Sequence, residues 1–501
     1  MVRFAPIAVP RDTGKPSAGE PIPIPAPSRG MNTLANYLSL PPDQARYLEN
    51  LIPTSGRCSI RPGFSAESAI TGTTAAYSLM EYKGASGTTL LASASDGKIY
   101  SSGTNPATEL ASGYSTAFWS YTNLNGYLIA VNGADTPWRY NGATVSATGF
   151  TGVTLTTLRT VKKVHNRLWF TANASGDVWY GAPNAVAGPL TAFQLSQEAS
   201  GGKCMGVYEW KSYTVFVMST GEVVMYAGDP ATDFSFYGSY KAPLPVAYDA
   251  ALEIGGDVIL MTVSGPVTLE LVAAGLAFDV DSLQGWGWIW PSWAADAISY
   301  GVNNGWNAIY HKGMAYFNVP TSATESKQYV NNLSVPGGAW TIYTGFDAGQ
   351  FAQTADGLFF SDKGNGRTCE HTGTQDDGSD ITAYARQGFT YPSNGQTNLQ
   401  YTLMRINYVT NGIATSSVHI DTDFQSKEFS VNAVTISSEA GSGAWDAAWD
   451  TAWGVDAVTQ LRWQKVNGFG RAVAPAIKLT CNASTFDWFS TDVMSAPAGV
   501  L

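Results

Sequence analysis

Charged residues and cysteines are both scarce in this sequence of 501 residues. Charged residues make up only 13%, against about 25% in ordinary soluble proteins. Low charge does not predict disorder here, because aromatic residues reach 12% and need burial. The cysteines are far apart and form no CxxC pair, which argues against a disulfide framework or a cysteine zinc site. We expect buried free thiols from a reducing cytosol at Cys58, Cys204, Cys369 and Cys481.

Positive charge and long apolar runs are lacking as well. The formal net charge is −11, which disfavours a protein that binds nucleic acid in a basic groove. An acidic wall along which nucleic acid slides remains compatible with this charge. No stretch approaches the roughly 20 apolar residues that span a bilayer, and the opening MVRFAPIAVP has no signal-peptide core. We therefore expect synthesis in the cytosol without membrane integration.

Catalytic motifs are missing too. The histidines His165, His311, His371 and His419 stand alone, and the nucleophile elbow, the phosphate loop and the dinucleotide fingerprint are absent. The acidic run Asp376, Asp377 and Asp380 lacks the bidentate glutamate of a calcium loop, so a solvated turn is favoured. Asp446 and Asp450 could form an acid–base pair on a helix, although packing explains their spacing better. We predict a protein that is not an enzyme and has no catalytic, cofactor or metal residues.

A repeated phrase occupies residues 70–375. Each copy is an apolar strand, a short turn with glycine, and a second strand that in most copies ends on an aromatic residue. The aligned tyrosines Tyr100, Tyr140, Tyr180 and Tyr226 are about 40 to 46 residues apart. The seven copies cover residues 89–103, 127–142, 167–181, 213–228, 258–272, 314–332 and 357–373. A unit of this length holds three or four strands and must pack on its neighbours to be stable.

These features predict an all-β chain whose middle is a β-propeller of about seven blades. Six or eight blades also fit, because an aromatic-rich insertion at about 276–335 interrupts the period. A large double-sheet sandwich is the alternative. Within the insertion, the alternating tryptophans are expected on one face of a strand. Two interpretations stay open, core packing beneath the propeller or an exposed gate or subunit contact, for Trp286, Trp288, Trp290 and Trp293.

The two chain ends lie outside the repeat. Residues 1–30 contain a proline at every second position from Pro21 to Pro27 and predict an extended arm, either a disordered tail or a segment docked on a neighbouring protein. Pro41–Pro42–Asp43 predicts a short helical turn through Glu49. Residues 31–69 and 380–501 are expected to form a β-sandwich-like platform domain together. Candidate packing anchors, in a loop or on a helix face, are Trp445, Trp449 and Trp453.

Short motifs at both ends carry a family resemblance. The first motif has a glycine followed by polar residues, at Gly30, Asn32 and Thr33. The second is a proline-bounded segment with Asp43, Ala45, Leu48, Asn50 and Pro53. The third is an arginine–glycine–aromatic turn with Arg61, Gly63 and Phe64. Near the other end, WDAAWDTAWG precedes LRWQKVNGFGRAVAPAIKL. These segments resemble the two ends of the tail nozzle proteins of podovirus-type bacteriophages, also called the tail tubular protein B family.

The resemblance implies a structural virion protein of a short-tailed bacteriophage, made in the host cytoplasm and assembled into the viral tail. Members of the family form a hexameric tube below the head–tail adaptor that retains DNA and conducts it during ejection. The implied partners are further copies of the chain, the adaptor, tail fibre or spike proteins, and double-stranded DNA passing through the lumen. No cofactor is implied. The alternative is a carbohydrate-binding or depolymerising propeller, supported by the tryptophan and tyrosine content.

A basic cluster bears on the expected lumen. A channel that conducts DNA is expected to be acidic or neutral, because many phosphate contacts would hold the DNA. The dense basic cluster Lys162, Lys163 and Arg167 is therefore predicted on an outward face or a subunit contact.

Overall fold

The computed structural model describes residues 21–73, 75–85, 87–195, 199, 201–355, 357–392, 397–426, 434–437, 458–460 and 462–497. Strands dominate this part of the chain. The first strands precede the repeats and are β1 (Pro21–Pro25), β2 (Ala45–Glu49), β3 (Leu51–Thr54) and β4 (Arg57–Ile60).

Seven blades follow, each built from short antiparallel strands. The next strand, β5 (Ser65–Ala69), belongs to the last blade. Blade 1 contains β6 (Ala76–Gly84), β7 (Gly87–Ala94), β8 (Lys98–Ser101) and β9 (Thr108–Ser112). Blade 2 contains β10 (Ser120–Leu124), β11 (Tyr127–Val131), β12 (Trp138–Tyr140) and β13 (Val145–Ala147). A short parallel pair is formed by β14 (Phe150–Thr151) and β18 (Gly188–Pro189). Blade 3 contains β15 (Leu158–Val164), β16 (Arg167–Ala172), β17 (Val178–Tyr180) and β19 (Thr191–Phe193).

The fourth and fifth blades differ in their outer strand. Blade 4 contains β20 (Cys204–Trp210), β21 (Tyr213–Met218), β22 (Glu222–Ala227) and β23 (Ser235–Lys241). Blade 5 contains only β24 (Ala251–Ile254), β25 (Asp257–Met261) and β26 (Pro266–Thr268). Helical segments follow its third strand: α1 (Leu269–Ala273), α2 (Val280–Leu283), a 3-10 helix (Gln284–Ile289) and α3 (Trp290–Tyr300). A further 3-10 turn (Leu155–Thr157) precedes β15.

Blades 6 and 7 complete the ring. Blade 6 contains β27 (Asn307–His311), β28 (Met314–Pro320), β29 (Ser326–Asn332) and β30 (Ala339–Tyr343). Blade 7 contains β31 (Ala348–Gln353), β32 (Leu358–Asp362) and β33 (Arg367–Glu370), with β5 as its fourth strand. The antiparallel pairing of β33 with β5, from Arg367 opposite Ala69 to Glu370 opposite Ser65, ties the end of the propeller to its beginning.

Apolar clusters between neighbouring blades hold the ring together. Blade 7 packs on blade 1 through a cluster that includes Leu79, Ala92, Ala352 and Phe359, as closure requires. The other contacts are equivalent and include Met80 with Leu128, Ile129 with Phe170, Trp169 with Phe216, Val217 with Leu260, Met261 with Phe317, and Tyr316 with Phe360. A single blade could not bury both faces, so the closed ring is the stable arrangement.

The prediction of a seven-bladed propeller is therefore confirmed, and its repeated phrase has a simple structural meaning. In every blade the phrase forms the second and third strands, for example β7 and β8 at residues 89–103. The aligned tyrosines Tyr100, Tyr140 and Tyr226 are 4%, 4% and 5% exposed and lie in clusters between blades. The repeat was detectable because these blades present the same aromatic residue to a neighbouring blade.

Strands from both chain ends form the platform beside blade 6. Its C-terminal strands are β34 (Ile381–Gln387), β35 (Leu399–Thr410), β36 (Ile413–Thr422), β37 (Val434–Ser437), β38 (Val458–Gln460), β39 (Gln464–Gly470), β40 (Val473–Asn482) and β41 (Phe486–Pro497). One sheet has the order β3-β4-β41-β35-β38, with β1 on β41 and β39 on β35. The other has the order β2-β34-β40-β36-β37 and continues into blade 6 through the pairing of β2 with β30. The two sheets share one core. The second sheet continues from the platform into blade 6, so propeller and platform are joined by a continuous sheet.

The N-terminal arm differs from the prediction over the residues that the structure describes. Strand β1 pairs antiparallel with β41 of the same chain, and Ile24 is 0% exposed within the platform core. Ala26 donates its N–H to the carbonyl of Phe489 at 3.0 Å, so the backbone N–H groups of the even-numbered residues point towards β41. The prolines then place their missing donors on the opposite edge, which makes this an edge strand. Residues 1–20 of the predicted arm lie outside the described residues.

Two further predictions of local structure are wrong. Residues 45–49 form strand β2 instead of a helical turn, because Ala45 and Leu48 are buried completely and pairing with β34 outweighs local propensity. The aromatic insertion is shorter than 276–335. Residues 269–300 replace the fourth strand of blade 5, and the residues from Asn307 onward already belong to blade 6. None of the described helices is long and apolar enough to cross a bilayer.

Candidate functional site

A cavity of about 280 Å³ lies at one mouth of the propeller axis. Its lining comes from the first residues of the innermost strand, or the loop before it, in every blade. From blade 1 to blade 7 these include Tyr77, Phe118, Arg159, Met205, Tyr248, Asn304 and Gln350. Since all seven blades must be in place to form it, the cavity is a property of the closed ring.

Arg159 is the cationic group held at this mouth, and Asp249 is the anionic one. Its Nη1 donates to the carbonyl oxygen of Asn132 at 2.5 Å, and its guanidinium lies 5.7 Å from the ring centre of Tyr248. Gly133, at φ +77°, leaves room for the arginine stem, because an added Cβ would lie 2.8 Å from the arginine Cδ. Burial lowers the pKa of the guanidinium, and no ion pair joins Arg159 to a carboxylate in the described part of the chain.

Aromatic and amide side chains surround this arginine. The rings of Tyr77 and Phe118 are in contact, with centroids 4.7 Å apart. Asn304 accepts from Nη2 of Arg159 at 3.5 Å, at the limit of a hydrogen bond. The buried amide oxygen of Gln350 has no partner among the described residues. The mouth therefore offers a cation, aromatic faces and an unpaired acceptor.

Deeper in the channel, one lysine lies between two carboxylates. Lys162 Nζ lies 3.2 Å from Asp249 Oδ1 and 3.6 Å from Glu253 Oε1. Burial alone would lower the pKa of Lys162, but Asp249 and Glu253 outweigh it and raise the pKa. Ser120 Oγ also donates to Asp249 at 3.1 Å. Lys162 thus offsets one of the two negative charges, and the two carboxylates share it.

The basic cluster does not form the outward face that was predicted. Lys162 turns towards the propeller axis, while the next residue, Lys163, is exposed on the other face of β15. Arg167 has a side chain only 7% exposed and makes a bidentate pair with Asp229, with Nη2–Oδ1 at 2.7 Å. Because side chains of a strand alternate between faces, adjacent basic residues are separated.

A second polar centre lies where the propeller meets the platform. Arg61 is 1% exposed and donates to both carboxylate oxygens of Asp376, at 2.8 Å and 2.6 Å. Its other donors reach Asn50 Oδ1 at 2.7 Å, the Thr344 carbonyl at 2.6 Å and the Pro62 carbonyl at 3.0 Å. All five N–H groups of the guanidinium are therefore used. Asp376 was predicted in a solvated turn, but it belongs to this buried ion pair.

The other motif residues behind the family resemblance surround the same junction. Gly30, at φ +81°, passes so close to β30 that an added Cβ would lie 2.6 Å from the Trp340 nitrogen. Asn50 adopts φ 56° and donates to the Thr382 carbonyl at 2.8 Å. Gly63 leaves no space for a side chain, since its Cβ would lie 1.8 Å from the Gln375 oxygen. These residues fix the path of the N-terminal segment between blade 6, blade 7 and the platform.

The four tryptophans of the insertion are packed inside the chain. They lie in the 3-10 helix and α3 instead of on a strand, because the intervening glycines permit tight turns and Pro291 suits the first turn of α3. Trp293 is 0% exposed and donates to the Thr262 carbonyl at 2.7 Å. The partly buried members, Trp286, Trp288 and Trp290, pack against the core clusters of blades 4 to 6 and the platform. This corresponds to the core-packing interpretation.

Other predicted positions have no shared chemistry. The anchors Trp445, Trp449 and Trp453 lie outside the described residues, as do Asp446 and Asp450. All four cysteines are buried free thiols. His371 is enclosed beside Gly63, to whose carbonyl its Nδ1 donates at 2.9 Å, and burial lowers its pKa to about 4. In the described ranges, no group of three or more His, Cys, Asp or Glu residues is arranged to hold a metal ion.

No sequence motif singled out Arg159, Asp249 and Tyr248. These residues precede the repeated phrase or begin the strand before it, where the sequence varies from blade to blade. The signal that could have found them is positional. The innermost strand of a blade comes just before its hairpin, so polar residues at its start converge on the axis.

No protein-family model and no curated protein sequence matches this chain. Among solved structures, the chain is similar to the computationally designed Ika8 protein, with 9% identity, a TM-score of 0.35, and coverage of 61% of this chain and 99% of that one. It is also similar to BBS1N in its complex with ARL6DN, with 9% identity, a TM-score of 0.39, and coverage of 63% and 99%. YCF48 bound to D1 peptide gives 11% identity, a TM-score of 0.38, and coverage of 62% and 97%. The propeller assignment rests on the sheets described above.

Proposed function

We propose that this chain is the nozzle subunit of a short-tailed bacteriophage tail. In this role, six copies form a tube below the head–tail adaptor that retains genomic DNA and conducts it during ejection. The observation that carries the proposal is the junction. The N-terminal motifs that resemble the nozzle family lie together where a propeller meets a platform made from both chain ends, which is the architecture that the resemblance implies.

The charge distribution supports a structural role over a catalytic one. A glycosidase needs two carboxylates free to act as acid and base or nucleophile. Here Asp249 and Glu253 share Lys162, and Asp376 is held by Arg61. Such pairs fix strands relative to each other. The acidic net charge of −11 also suits a wall that does not hold DNA tightly.

Electron microscopy of the purified full-length chain, alone and mixed with the adaptor ring of the same virus, tests the proposal. We expect rings or short tubes of six copies of the 53.3 kDa chain, with an axial opening wide enough for duplex DNA. A chain that remains monomeric at high concentration and also fails to assemble on the adaptor would contradict the nozzle function. Turnover of a bacterial polysaccharide that disappears on mutation of one carboxylate pair would favour the depolymerising alternative instead.

A further inference from the structure

The mouth of the propeller axis contains a cation without a counter-charge. Arg159 is partly buried, and its neighbours are a backbone carbonyl, an amide oxygen and the ring of Tyr248. A buried charge is costly unless it is paired. Elsewhere in the channel and the junction, Lys162 and Arg61 meet this requirement with carboxylates. Arg159 faces a cavity, so its partner can come from outside the chain.

We propose that this cavity binds a carboxylated sugar, with Arg159 holding the carboxylate. The volume of about 280 Å³ is near the lower limit of small-molecule pockets, which is about 300 Å³. It therefore suits a ligand of one or two rings. The planar guanidinium of arginine matches a carboxylate with two parallel hydrogen bonds.

The rest of the lining indicates a hydroxyl-bearing ring. Polar groups come from six of the seven blades, at Ser78, Ser120, Arg159, Asp249, Asn304 and Gln350. A pyranose can donate and accept hydrogen bonds on all sides, as such a rim requires. The unpaired amide oxygen of Gln350 can accept from a ring hydroxyl. The aromatic rings of Tyr77, Phe118 and Tyr248 supply flat apolar faces for the ring itself.

The carboxyl end of a peptide fits this lining less well. Its carboxylate would pair with Arg159, but the rest of a peptide end offers few hydrogen-bonding groups. The amide side chains of Asn304 and Gln350, elsewhere in the cavity lining, would lose water without gaining partners. Asp249 also lines the cavity. Its ion pair with Lys162, which Glu253 shares, and its hydrogen bond from Ser120 reduce its repulsion of a bound anion.

Calorimetric titration of the full chain tests the proposal with two sugar acids, methyl β-glucuronoside and N-acetylneuraminate, and with methyl β-glucoside as the neutral analogue. We expect at least one acid to bind more tightly than the neutral sugar. Loss of a hydrogen-bonded carboxylate contact in Arg159→Gln should weaken the acid by roughly 10- to 100-fold. Arg159→Lys should restore part of the affinity.

Arg139→Gln is the matched control. Arg139 also donates to a backbone carbonyl, that of Val186 at 3.3 Å, and also lies over a tyrosine ring, Tyr127 at 5.1 Å, but it does not line the cavity. Its loss should leave the affinity unchanged. If Arg159→Gln does not fold, Tyr248→Leu provides the second variant. This variant keeps the contact between Arg159 and Asn132 and should bind the acid several-fold more weakly.

Three results would overturn the proposal. The first is equal affinity for the acids and the neutral sugar, or no binding of any of them at millimolar concentration. The second is equal loss of affinity in Arg139→Gln and Arg159→Gln. The third is tighter binding of an N-acetylated dipeptide acid, which would assign the cavity to a peptide end. These measurements do not depend on ring assembly, so a failed nozzle proposal and a failed ligand proposal are distinguishable.

Discussion

Removal of the negative charge from Asp376 should loosen the junction between propeller and platform. In Asp376→Asn, Arg61 keeps its contacts with Asn50, Pro62 and Thr344 but loses its counter-charge. Arg61 is 1% exposed, so water cannot solvate it instead. Breaking one side of a buried ion pair destabilises a protein by about 3–5 kcal/mol. We expect a loss of this size in the unfolding transition that includes the junction.

The neighbouring residue offers a matched control. Asp377 pairs with Arg367, but its side chain is 39% exposed, and exposed pairs contribute about 0–1 kcal/mol. Asp377→Asn should therefore have little effect. Urea unfolding, combined with hydrogen exchange of residues 59–64 and 373–378, measures both variants. Equal, small changes in the two variants would refute the argument that the buried pair holds the junction together.

Three other perturbations give distinct results. Burial holds the folded pKa of His371 at about 4, below an unfolded value of about 6.5. Its contribution of about 3 kcal/mol is therefore complete above pH 6.5 and is lost as the pH falls towards 4, and His371→Phe should flatten this part of a melting-temperature profile. Gly63→Ala should prevent native docking of the N-terminal segment, visible as increased proteolysis there, whereas Gly103→Ala, where an added Cβ would meet its nearest atom only at 3.9 Å, should fold. Ile24→Ala should lower the free energy of unfolding of the platform by about 2–5 kcal/mol, measured by urea unfolding. A change in the unfolding of the propeller alone would contradict the packing of β1 in the platform core.

The sequence predicted the elements that repeat and missed those that depend on unique contacts. The seven hairpins are visible because each unit solves the same packing problem, and four of them end on an aligned tyrosine. Strand β2 was not predictable from its proline-bounded helical pattern, since its pairing with β30 and β34 joins residues about 290 to 340 positions apart. The alternation of Trp286, Trp288 and Trp290 suggested a strand, but Gly285 is tightly enclosed, with an added Cβ 1.8 Å from the Gly337 oxygen, and only tertiary contact selects the 3-10 turn.

The candidate site illustrates the same limit. Arg159 and Tyr248 are about 90 residues apart, and they meet only because the ring brings the starts of blades 3 and 5 to one axis. Arg61 and Asp376 are joined across 315 residues. The motif residues could be selected from the sequence. Their contacts at one junction could not be predicted, because a short motif contains no information about which distant residues it packs against.

The alternating prolines of β1 also determine how this chain can meet other strands. Ala26 donates its N–H towards β41, so Pro21, Pro23 and Pro25 direct their donor-free nitrogens to the open edge. An approaching strand would find carbonyl oxygens at this edge but none of the N–H groups that a β-ladder needs. The carbonyl oxygen of Pro25, the last residue of β1, already accepts a hydrogen bond from the Gln387 side chain at 2.6 Å. Sheets that expose a complete edge are templates for uncontrolled pairing. Association between copies of this chain through the edge of β1 is therefore blocked by its own sequence.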